Sequence, residues 1–87
     1  MSSPDKFPPE FWSYLRTHPD DEVAAIVRVQ ALSPEVEQAA DAAGARIQRR
    51  LKLVPSLAVQ ASGRALMDLA AHPQVMRIEP DQDVRAL

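Results

Sequence analysis

The apolar residues follow two rhythms along the chain, and each rhythm implies an element. Glu22 to Gln30 is apolar on both parities in its middle and rich in β-branched side chains, as expected of a strand with a neighbour on each side. Ser33-Pro34-Glu35 then supplies an N-cap, a first-turn proline and an early acid. Val36, Ala39, Ala40 and Ala43 recur at i, i+3, i+4 and i+7, so they share one helical face, and Gly44 is placed to end the helix. Period two returns from Arg46 to Leu53. It sets Ile47, Leu51 and Leu53 on one face and Arg46, Gln48, Arg50 and Lys52 on a wet one, with Arg49 as the exception. Val54-Pro55-Ser56 reads as a tight connection, after which Leu57, Val59 and Ala61 alternate inward. Ser62 caps a second helix carrying Leu66, Leu69 and Ala70, which ends at His72-Pro73, and Val75 to Glu79 is the last strand.

The predicted order is strand, helix, strand, strand, helix, strand, with short connections. Right-handed crossovers turn that order into an α+β fold of the ferredoxin-like βαββαβ kind, a four-stranded antiparallel sheet with two helices on one face. The opposite face is left open. If Val23, Ala25 and Val27 point to the helices, Ala24, Ile26, Arg28 and Ala58 fall on the open face, an apolar patch flanked by Arg28, Gln48, Arg50 and Gln60 that would suit a protein partner.

Residues 1–21 differ from the rest. They hold four of the eight prolines and all of the aromatic residues, Phe7, Phe11, Trp12 and Tyr14. Pro8-Pro9-Glu10 can start a short helix that stops before Pro19, giving an N-terminal arm whose aromatics pack on the domain.

Composition narrows the functional classes. Eighty-seven residues make one small domain, and 46% apolar content with only 5% aromatic implies a thin core in which each large aliphatic side chain matters. The absence of cysteine excludes disulfides and thiolate metal sites. A net charge of -2 provides no electrostatic footprint for nucleic acid, although Arg46, Arg49, Arg50 and Lys52 cluster, which also suits a solvated strand protected from edge pairing. No apolar run is long enough to cross a bilayer, so no membrane association is expected. With no secretory signal in the chain, the default location is the cytoplasm.

Candidate chemistry is sparse. His18 sits in a turn-like His-Pro-Asp-Asp stretch and His72 at a helix end, neither beside groups at ligand or triad spacing. Gly44 and Gly63 are explained by helix ends, Met67 and Met76 by core filling, and no phosphate-binding glycine motif is present. The expectation is a protein that is not an enzyme and needs no cofactor or metal.

Several segments taken together resemble a known family. They are Ala25-Ile26-Val27-Arg28-Val29, Gly44-Ala45-Arg46-Ile47-Gln48-Arg49-Arg50-Leu51, Ala65-Leu66 through Leu69, and the closing Pro73-x-Val75-x-x-Ile78-Glu79-x-Asp81. In this order and spacing they resemble the propeptides of subtilisin-like serine proteases and the stand-alone inhibitors related to them. The likeness spans residues 22–87 and does not extend to residues 1–21.

The resemblance implies an inhibitor, and a possible folding chaperone, of a subtilisin-like serine protease. Its open sheet face would pack on two surface helices of the enzyme, with Glu79 and Asp81 at the N-termini of those helices. Val84, Arg85, Ala86 and Leu87 would fill the substrate cleft, Leu87 nearest the catalytic serine and Val84 in the apolar pocket three residues back. The implied organisation is an arm over 1–21, an inhibitor domain over 22–83 and a cleft-binding tail over 84–87. The protein would be monomeric when free, or a weak homodimer through the open sheet. An excised propeptide would be secreted rather than cytoplasmic. The alternative is a ferredoxin-like regulatory or RNA-contacting module that uses the same open face.

Overall fold

The computed structural model describes residues 3–81. A 3-10 turn, Ser3–Lys6, leads into helix α1, Pro9–Thr17. There follow strand β1 (Glu22–Val29), helix α2 (Pro34–Ala43), the hairpin strands β2 (Arg46–Leu51) and β3 (Ser56–Ser62), helix α3 (Gly63–Ala70) and strand β4 (Val75–Pro80). From β1 onward this is the expected βαββαβ order. The strands form one sheet in the order β2-β3-β1-β4 with every neighbouring pair antiparallel, the ferredoxin-like arrangement.

Both helices of the repeat form where their caps specify. The Ser33 hydroxyl accepts the Val36 N–H at 3.3 Å, and the Ser62 hydroxyl accepts the Ala65 N–H at 3.1 Å, each satisfying a donor that the first helical turn leaves without a partner. Gly44 ends α2 at φ 95°, a left-handed conformation that a residue with a Cβ adopts only under strain. Val36 and Ala40 of α2, and Leu66, Leu69 and Ala70 of α3, meet Ala25, Val27, Val29, Leu57, Val59, Ala61, Val75 and Ile78 from the inner face of the sheet. That layer is the core. Val27, Leu57, Leu66, Leu69 and Ile78 are among its fully buried members.

The N-terminal segment contributes to the same core. Phe7, Phe11 and Leu15 are buried, with Phe7 lying 6.1 Å from Phe11 and 5.2 Å from Trp12 between ring centroids. Helix α3 touches both α1 and α2. Lys6 donates from Nζ to the Ala70 carbonyl at 2.8 Å and the His72 carbonyl at 3.2 Å, placing a cation on carbonyl acceptors at the end of α3. Gly63 marks the other end of that contact. A Cβ there would stand 3.0 Å from the Leu15 carbonyl oxygen and 3.2 Å from the Pro19 Cα, so this glycine is required by close backbone approach as well as by its place at a helix start.

Two irregularities alter the predicted faces. In β2 the register with β3 shifts between Ile47 and Arg49, leaving Gln48 as an extra residue. The alternation therefore inverts after Ile47. Arg50 pairs with the inward-facing Leu57 and belongs to the helix side, whereas Leu51 pairs with Ser56 and belongs to the open side. The strand ends there, and Leu53, expected to point inward, is 99% exposed in the hairpin turn. A second shift, between Arg28 and Val29 in the β1–β4 pair, lies opposite Met76, which is exposed and does not fill the core.

Candidate functional site

The open face of the sheet is the surface that the fold leaves unmatched. Its residues form rows across the strands. In one row Leu51, Ser56, Arg28 and Arg77 lie side by side; in the next, Arg49, Ala58, Ile26 and Glu79; in the third, Arg46, Gln60 and Ala24, with the Asp81 N–H donating to the Ala24 carbonyl at 3.0 Å. Glu22 follows, paired with Ser62.

Ala24, Ile26, Arg28 and Ala58 thus share this face, as their parity predicts. Ala24 and Arg28 are exposed and Ile26 is half-buried. Ala58 is 3% exposed yet stands apart from the core cluster, a single methyl between the larger Arg49 and Ile26. The flanking residues differ from the expected set. Gln60 and Arg28 are in place, but the bulge carries Arg50 to the other side and brings Arg49 onto the face, while Gln48 is the residue left over. Arg77 and Arg46 complete the polar rim. Arg49 was the one residue that broke the alternation in the sequence, and that break is the trace of the bulge.

Ion pairs set the electrostatics. Arg77 donates from Nε to Glu79 Oε2 at 2.7 Å, along the same side of β4, and both groups are partly buried. Arg46 reaches across β3 to Glu22 at 3.2 Å. Arg28 and Arg49 have no ion-pair partner among the described residues. Glu79 lies beside Ile26, and Asp81 is tied through its backbone to Ala24, so the end of β4 borders the apolar centre. Both acids are partly buried rather than fully solvated. Val84, Arg85, Ala86 and Leu87 lie outside the described residues.

On the helix side, Arg50 meets Glu37 of α2 through two hydrogen bonds, 2.7 Å from Nε and 2.8 Å from the terminal nitrogen. The hydrogen bond from Arg50 pulls the Glu37 carboxyl below its ordinary pKa, and the same bond raises that of Arg50. This pair spans a groove of about 640 Å³ between α2 and β2, lined also by Pro34, Asp41 and Ile47. Its geometry is that of a clasp holding the edge strand to the helix. His72 is a turn residue, its Nδ1 accepting the Gln74 N–H at 3.1 Å, and His18 stacks on Tyr14 with 4.4 Å between centroids. Among the described residues no three His, Cys, Asp or Glu side chains are grouped to hold a metal ion, and no helix is long and apolar enough to cross a membrane.

What this surface can do is bind. Small side chains at its centre allow close approach of another backbone or helix, and guanidinium and carboxylate groups at the rim supply directional contacts. Compared with models of protein families, the chain matches none, and no curated protein matches its sequence.

Proposed function

We propose that the protein inhibits a subtilisin-like serine protease, docking the open sheet face on the enzyme and leading the segment after β4 into the substrate cleft. One observation carries this reading: Glu79 and Asp81, at the end of β4, border the open-face apolar centre formed by the exposed Ala24, the half-buried Ile26 and the buried Ala58. Two carboxylates at that border match the chemistry of helix N-termini, whose first N–H groups lack partners and carry partial positive charge. Val84 to Leu87, downstream of that border, provides a short apolar-ended segment suited to the non-primed subsites. The same binding surface would allow a chaperone role toward the enzyme's own folding.

The test is titration of a subtilisin-type protease with the chain and with a Glu79→Ala, Asp81→Ala double variant. Losing both carboxylates should weaken inhibition by about 1–2 kcal/mol, roughly fivefold to thirtyfold, with an unchanged circular dichroism spectrum. Equal inhibition constants would remove the acids from the interface, and no inhibition by the parent chain would sink the reading. Arg28, Arg49 and Arg77 on the face favour RNA contact as a second reading, but β1 and β3 carry no aromatic residue on which a base could stack. A salt-dependent mobility shift with single-stranded RNA would decide for it.

A further inference from the structure

Exposed apolar side chains gather at one end of the sheet. Four large hydrophobic residues stand exposed among the described residues, Tyr14, Leu53, Val54 and Met76, and the last three share that end. Strand pairing fixes the location. Leu51, Ser56, Arg28 and Arg77 form the row there, the turn that carries Leu53 and Val54 projects past it between β2 and β3, and Met76 lies past it at the start of β4. The turn is braced at its base: Ser56 donates its hydroxyl to the Val54 carbonyl at 2.8 Å, and the Val29 N–H donates to the Pro55 carbonyl at 3.0 Å. Leu53 is therefore presented to solvent by a held turn.

Cations without a carboxylate partner gather at the same place. Arg28 belongs to that row, Arg49 to the next, and Lys52 to the turn itself; none of them has an ion-pair partner among the described residues, whereas Arg46, Arg50, Arg64 and Arg77 are each paired. The acids at this end belong to the helix layer. Glu35 and Glu37 open α2 and Asp68 falls in the last turn of α3, with Glu37 held by Arg50. On its sheet side the end is thus basic and apolar, in a chain whose net charge is -2.

A projecting aliphatic tip with cations set behind it matches an anionic bilayer surface. Leucine and valine side chains enter the boundary between headgroups and acyl chains, while lysine and arginine keep their charged ends among the headgroup phosphates and carboxylates. Nucleic acid would engage the cations but leave the tip in water, and β1 to β4 carry no aromatic residue on which a base could stack.

We propose that the turn between β2 and β3 docks the protein on a membrane surface rich in anionic phospholipid, with Leu53 and Val54 inserted to headgroup depth and Lys52, Arg49 and Arg28 facing the headgroups. The association is peripheral and reversible and needs no spanning segment. It does not rest on the protease reading. Because the whole chain is acidic, adsorption to an anionic surface reports this local patch rather than overall charge.

The experiment is co-sedimentation of the full chain with vesicles of phosphatidylcholine alone and of phosphatidylcholine and phosphatidylserine in equal parts. The parent chain should bind the phosphatidylserine vesicles only, and less as sodium chloride is raised. Leu53→Ser combined with Val54→Ser should weaken binding about tenfold, and Lys52→Glu about tenfold or more. Both changes are at exposed positions, so thermal midpoints near that of the parent show that the variants fold. No binding of the parent to phosphatidylserine vesicles would overturn the proposal. Equal binding by the parent and the double serine variant would also overturn it, since the tip would then play no part. A mobility shift of single-stranded RNA that Lys52→Glu abolishes, with no vesicle binding, would assign the cations to nucleic acid instead. Protease inhibition is measured separately, so the two readings fail independently.

Discussion

Leu15→Ala tests whether the first twenty residues belong to the cooperative fold. Leu15 lies on α1, has no exposed surface, and sits in the core cluster with Phe11 and the α3 residues. Truncating a fully buried leucine to alanine costs about 2–5 kcal/mol, the lost transfer energy plus the cavity left behind. A chain of this size holds on the order of 4–13 kcal/mol in total, so the substitution removes a large share. At about 4–8 °C per kcal/mol for a domain of this length, the midpoint should fall by roughly 10 °C or more. Two probes make the assay specific. Trp12, the sole tryptophan, stands 5.2 Å from Phe7 and reports on the N-terminal segment, whereas far-UV circular dichroism reports on the whole domain. Both transitions should coincide in the parent chain and shift together in the variant. A shift of about 2 °C or less, or a Trp12 signal that melts alone, would show that the segment is a tethered appendage and refute the argument from burial.

Two further substitutions probe the packing. Gly63→Ala should destabilise by about 1–3 kcal/mol despite the better helix propensity of alanine, because the added Cβ meets the Leu15 carbonyl oxygen at 3.0 Å; an unchanged or raised melting temperature would contradict the close approach. Arg50→Met should lower stability at neutral pH. Glu37 is depressed by its hydrogen bonds to Arg50, so the pair's contribution is present above the ordinary glutamate range and is lost as the pH falls through the lowered value. The gap between parent and variant in urea unfolding should therefore close on acidification, and a gap independent of pH would show that the clasp is not electrostatic.

The helices and the strand order were legible because local signals and tertiary demands agree there. Ser33 and Ser62 cap as their positions imply, Gly44 takes the left-handed conformation a helix end requires, and the double-sided apolar run of β1 becomes a central strand. Placement of Ala24, Ile26, Arg28 and Ala58 on one face followed from the same parity. The misplaced strand faces have one cause. Period-two reasoning assumes an unbroken ladder, and a single extra residue at Gln48 reverses every side chain beyond it, exchanging Arg50 and Leu51 between faces. The exposure of Met76 accompanies a similar shift in β4. The role of Gly63 in admitting α1 was hidden for a different reason, since the approach of a chain segment distant in sequence leaves no local mark beyond the glycine itself.

The most direct test of the central claim is titration of a subtilisin-type protease with the full chain and with a version ending at Asp83. The account predicts stoichiometric loss of activity with the full chain and a markedly weaker effect from the shortened one, which keeps the sheet face and the two acids but lacks Val84 to Leu87. Full protease activity at a large molar excess of the intact chain would contradict it.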